Sequence, residues 1–154
     1  MDSSPGDAAV DSAVPPPAVA CTEGALATGA FNFRCSAGPG AVNAGGTIAT
    51  GIYNLSRAHN GLFCPSAYVI GSAEVFRLST GELLMRFLVL KKASTTDPGT
   101  RVTGTAWLQT VGGRVTYTEL CDPGRKGQVK TGSVEANATS FILTFLGGQE
   151  EWTK

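Results

Sequence analysis

The pattern of apolar and polar positions changes character at Cys21. Residues 1–20 consist mainly of Ala, Pro, Ser, Asp and Val, with no Lys, Arg, aromatic, Leu or Ile, so no hydrophobic period can be traced there. After Cys21, short runs rich in Thr, Val, Phe and Tyr are cut by glycine pairs and Asp-Pro-Gly turns. Ala30–Cys35 reads as a short strand and Ser36–Gly46 as a glycine-rich loop. Thr47–Ser56 is expected to be the first long strand, Arg57–Phe63 a polar loop, and Ala67–Leu78 the second strand, with Ser79–Gly81 as its hairpin connection. Glu82–Lys91 is the one ambiguous run, because its Leu and Met favour helix. Its length, the hairpin before it and its Phe and Val content assign it as strand. Arg101–Val111 and Arg114–Leu120 flank Gly112-Gly113, a two-residue hairpin signal. Strict alternation in Val115-Thr116-Tyr117-Thr118 sends one face to the core. Gly127–Ala136, Phe141–Leu146 and Gln149–Thr153 complete a meander, the last two joined by Gly147-Gly148.

These elements predict an all-β chain of about eight strands, arranged as one antiparallel barrel or, alternatively, a β-sandwich. Sequential hairpins without a long crossover favour the barrel, because closure leaves no unpaired strand edge. Gly51, Gly71, Gly104 and Gly132 lie inside strands, where a barrel would bend. Domain organisation follows: residues 1–20 as a disordered Ala/Pro/Asp-rich linker, stiffened by Pro15-Pro16-Pro17, and residues 21–154 as one domain.

Composition narrows the function classes. Of 154 residues, Lys+Arg and Asp+Glu number 12 each, so no net field attracts nucleic acid, and none is expected as a partner. The longest apolar runs, Leu83–Leu90 (broken by Arg86) and Phe141–Leu146, fall far short of the roughly 20 residues that span a bilayer. No basic region followed by an apolar core opens the chain, and Met1 directly before a linker reads as a start placed after a removed export signal.

Cys21, Cys35, Cys64 and Cys121 form an even set with three ways of pairing. None of the spacings is C-x-x-C, which argues against zinc, and disulfides are expected. Cys21–Cys35 would pin the start of the domain. Cys64–Cys121 would join two strand ends of similar local chemistry, Cys64-Pro65 and Cys121-Asp122-Pro123. Two disulfides imply an oxidising, extracytoplasmic compartment: the periplasm, the outer membrane or the cell surface.

Gly46-Thr47-Ile48-Ala49-Thr50-Gly51-Ile52-Tyr53-Asn54-Leu55 resembles the opening G-T-I-x-x-G-x-Y-x-L strand of small bacterial envelope lipoproteins with a lipocalin-like barrel. The strand Val115–Leu120 ending at Cys121, the closing hairpin Phe141–Thr153 and the acidic Ala/Pro/Ser leader are similar as well. The resemblance implies an exported barrel that touches a membrane only through a lipid anchor upstream of the leader.

Candidate chemistry is sparse. His59 is the only histidine, placed in a loop, and no Gly-x-Ser-x-Gly elbow accompanies it. Glu74, Glu82, Glu119, Glu135 and Glu150-Glu151 read as solvated positions, and no calcium-loop spacing occurs. No catalytic residue, metal site or cofactor is expected. The aromatics recur about once per strand, and Tyr53, Tyr68, Phe87, Trp107 and Tyr117 are the candidates for lining a cavity. The sequence therefore supports a non-enzymatic envelope barrel acting as a structural or protein-interaction module, its partner an envelope or surface protein. The alternative is a lipocalin-like barrel that holds a small apolar ligand.

Overall fold

A computed structural model describes residues 14–154. Its regular elements are eight strands: β1 Gly51–Asn60, β2 Tyr68–Arg77, β3 Leu83–Lys92, β4 Thr100–Val111, β5 Arg114–Glu119, β6 Val129–Ala136, β7 Ser140–Phe145 and β8 Gly148–Thr153. Each strand pairs antiparallel with the next, and β8 closes on β1, giving a single eight-stranded barrel in meander order. The sandwich alternative is thereby replaced by closure. Gly112 and Gly113 both take positive φ, at 56° and 81°, which is the backbone a two-residue hairpin needs.

Period-two alternation fills the interior. Tyr53 and Leu55 of β1, Met85 and Phe87 of β3, Val115 and Tyr117 of β5, Phe141 and Leu143 of β7, and Trp152 of β8 all belong to one buried cluster. Edge-on aromatic contacts run along the barrel axis from Tyr53 to Phe141 (4.8 Å between centroids), and from Trp152 to Phe63 (6.2 Å) and on to Phe87 (5.8 Å). Phe141 stacks on Trp152 and so joins the two halves of this column. Phe63 reaches it from the β1–β2 loop.

Residues 19–46 form a strap around the outside of the barrel. Val19 packs on Leu84, Trp107 and Leu120, whose side chains form a second buried cluster separate from the interior one. Gly24 lies against the β3 backbone so closely that a Cβ would sit 2.9 Å from the Phe87 carbonyl carbon. Ala27 N donates to Ser72 Oγ (2.8 Å). Two places where neighbouring strands diverge are filled by the strap. β1 and β2 pair only over Gly51–Asn54, and beyond this Phe33 makes an antiparallel bridge to Val69 while Ser36 N donates to Ala58 O. Past the β5–β6 ladder, Gly45 takes the free edge of β6 at Glu135.

Several expectations are corrected. The preferred cysteine pairing is overturned: the bonds are Cys21–Cys121 and Cys35–Cys64. The wrap explains this, because the strap passes β4 and β5 at Cys21 and reaches the β1–β2 gap only at Cys35. Ala30–Cys35 contributes one bridge at Phe33 and no strand. The first long strand starts at Gly51 and continues through the supposed loop to Asn60, because Arg57 and His59 face the strap and Ile48, only 2% exposed, is spent packing against the core. Of the expected linker, residues 1–13 lie outside the described residues; 14–20 carry no regular secondary structure.

Candidate functional site

The aromatic candidates separate into three places. Tyr53, Phe87 and Tyr117 are buried inside the barrel. Tyr68, first residue of β2, is half-buried at the rim, where its hydroxyl accepts from Arg34 Nη2 at 2.9 Å. Trp107 faces outward, beneath the strap. The structure therefore brings three of the five into one buried cluster, Tyr53 and Phe87 within the aromatic column and Tyr117 against Phe145.

Titratable groups gather inside the end of the barrel that carries the loops 61–67, 93–99 and 120–128. Glu119, 1% exposed, points inward at the end of β5. Its Oε1 accepts from the backbone N–H groups of Thr105 (3.2 Å), Cys121 (3.2 Å) and Asp122 (3.1 Å). Its Oε2 accepts from the Tyr117 hydroxyl (3.2 Å) and lies 3.5 Å from Arg125 Nη1. Arg125 arrives from the 120–128 loop, donates to Thr103 O (2.9 Å) and Asp122 Oδ2 (2.7 Å), and rests over the Phe87 ring (5.9 Å). The guanidinium thus closes the aromatic column at this end. Burial, then the Glu119 and Glu150 carboxylates, push the Tyr117 phenol well above its ordinary range. The Arg125 hydrogen bond holds Asp122 below the usual carboxylate range.

Glu150, two residues before Trp152 on β8, accepts from Trp152 Nε1 at 3.0 Å. Its enclosure pushes its carboxyl up to about 7, against the opposing pull of Trp152, Lys130 and Arg125. The crevice beside it, bounded by Asn60, Leu62, Lys130 and Phe145, measures about 60 Å3, room for a few waters only. Chemically, Glu119 is saturated by donors and acts as a structural knot, while Glu150 can hold or release a proton near neutral pH.

Sequence reading missed both carboxylates, and the signal for them was parity. Tyr117 in the core puts Glu119 on the same face, and Trp152 does the same for Glu150. His59 lies on β1 rather than in a loop; its Nδ1 donates to Ser36 O (3.0 Å) and its Nε2 accepts from Asn60 Nδ2 (3.2 Å), so it fastens the strap. Glu74 and Glu135 have partners of their own: Glu74 faces Arg86, and Glu135 accepts from Asn43 N. Among the described residues, no group of three or more His, Cys, Asp or Glu side chains is arranged to hold a metal ion.

No protein family, curated protein or solved structure matches this chain.

Proposed function

We propose that this protein is an exported, non-enzymatic barrel of the cell envelope that works through its outer surface, recognising another envelope or surface protein. The observation that supports this reading is the occupied axis: Tyr53, Phe141, Trp152, Phe63 and Phe87 fill the space where a lipocalin would hold its ligand. Two disulfides are the chemistry of an oxidising compartment and support export. The lipid-anchored placement rests on the resemblance of the opening strand and leader to small envelope lipoproteins. The exposed apolar side chains Phe31, Val111, Val129 and Leu146 are the positions from which partners can be sought.

Native mass spectrometry of protein exported to an oxidising compartment and never refolded tests the reading. The expected result is a bare mass lacking four hydrogens until reductant is added. Photo-crosslinkers at Phe31 and Leu146 should then capture one protein reproducibly in envelope preparations. A co-purifying lipid or other wholly apolar molecule, released only on denaturation, would overturn this reading in favour of the ligand barrel.

A further inference from the structure

Among the described residues, three buried side-chain polar atoms lack a hydrogen-bond partner, and two of them, Arg86 Nε and Thr105 Oγ1, belong to cross-strand neighbours on β3 and β4. Buried donors are nearly always satisfied, so the unpaired Arg86 Nε leaves one edge of this guanidinium open to an acceptor. The two residues belong to one outward-facing row that crosses four strands, Ile52, Glu74, Arg86 and Thr105. The strap passes over this row and leaves two crevices that meet at Glu23. The larger, about 290 Å3, is lined by Leu26, Ala27, Ile52, Glu74 and Arg86. The smaller, about 160 Å3, is lined by Thr22, Thr103, Thr105 and Asp122.

The charges in the larger crevice define its ligand. Glu23 is already committed to Arg101 at 2.7 Å. That leaves one guanidinium and one carboxylate, Arg86 and Glu74, joined only by a long contact of 3.4 Å. The Arg86 guanidinium carbon lies over the Phe76 ring (4.8 Å to the centroid), and the N–H groups at the edge of the guanidinium suit a carboxylate. Glu74 keeps about half its side chain in solvent and can accept an ammonium. Leu26 and Ile52, both exposed, supply an apolar lip. One cation, one anion and an aliphatic wall are complementary to a zwitterion with an aliphatic side chain.

We propose that the crevice between strap and barrel binds a free aliphatic amino acid. Its carboxylate sits on Arg86, its ammonium sits on Glu74, and its side chain lies between Leu26 and Ile52. The strap is one wall of the site, held by Cys21–Cys121 on one side and by the Ala27–Ser72 hydrogen bond on the other. The site lies outside the barrel and does not depend on the interior being filled.

Isothermal titration calorimetry on the oxidised protein tests this with L-leucine and its two halves, isovalerate and isopentylamine. L-Leucine is expected to bind saturably, and each half at least about tenfold more weakly. Arg86→Gln should weaken leucine by about tenfold or more. Glu74→Gln, a change at a solvent-facing position, should make leucine and isovalerate bind alike, which keeps the test informative if Arg86→Gln folds poorly. Absence of saturable leucine binding, equal binding of the halves, or unchanged affinity in a folded Arg86→Gln protein overturns the proposal. So does a high-resolution structure grown with leucine in which only ordered water meets Arg86 Nε.

Discussion

Glu150 shows how one carboxylate sets the response of this barrel to pH. Its carboxyl titrates at about 7 when folded, well above the ordinary glutamate value, because the charged form is desolvated in the barrel mouth. The folded state therefore holds this proton more tightly than the unfolded chain does. Its stabilising contribution is complete below the unfolded value and is lost as pH rises towards 7, a span of roughly 3 kcal/mol at most. Asp97 and Asp122 have the opposite sign: hydrogen bonds lower them, so their contribution is present above the unfolded value and is lost in acid. Stability should peak on the mildly acidic side. Urea titrations from pH 4.5 to 7.5 should show wild-type stability declining with pH and Glu150→Gln nearly flat and more stable at neutrality; equal slopes in both would refute the assignment. Trp152, whose indole N–H is bonded to this carboxylate, should report the same midpoint in fluorescence. A second test at this scale is Gly104, where a Cβ would lie 2.7 Å from Glu119 Oε2 and 2.8 Å from the Phe87 ring. Gly104→Ala forces the knot and the column apart and should cost about 1–3 kcal/mol in the same titrations.

Among elements, β3 carries the most instructive pattern. ELLMRFLVLK failed to alternate because both its faces are covered: Leu83, Met85, Phe87 and Val89 by the interior, Leu84 and Leu88 by neighbours on the outside, where the strap runs. A two-sided hydrophobic run on an antiparallel strand is itself a sign that something lies across it. The strap could not be named from its own residues, since its Gly, Ala and Asn carry no period and pair irregularly. The strands themselves were legible wherever glycine turns bounded them, as at Gly112-Gly113 and Gly147-Gly148. Their first boundary was not, because Thr47–Thr50 has β-branched chemistry but pairs with no strand, and its Ile48 packs against the core. The candidate carboxylates were equally hidden, since charge suggested solvent while parity with Tyr117 and Trp152 demanded the interior. Gly24 tests the strap as an element. Any side chain there would press on the β3 backbone, so Gly24→Val should lift the strap, cost about 1–3 kcal/mol and speed hydrogen exchange at the Ala27 amide. Unchanged Ala27 protection would show that the strap is held elsewhere.

At the scale of the whole molecule, the two disulfides divide the labour of holding one chain around itself. Cys21–Cys121 spans 100 residues and fixes the strap to the barrel; Cys35–Cys64 spans 29 and fixes the filling of the β1–β2 gap. The chain-entropy account gives the first about 4.7 kcal/mol and the second about 3.6 kcal/mol, a difference too small to assign their roles. What each bond protects is different, and the two tryptophans tell them apart. Trp107 lies under the strap, whereas Trp152 lies in the aromatic column that Phe63, beside Cys64, completes. Loss of Cys21–Cys121 leaves the barrel ladder intact and lets the strap open locally, so Cys21→Ala/Cys121→Ala should expose Trp107 to acrylamide while Trp152 stays shielded. Loss of Cys35–Cys64 loosens the gap beside the core, so Cys35→Ala/Cys64→Ala should broaden near-ultraviolet signals of the column and leave Trp107 covered. Paired Trp→Phe variants assign each emission. If both double mutants exposed the same tryptophan, strap and barrel would be one cooperative unit; the separate outcomes identify the strap as a layer that can lift while the barrel stays closed.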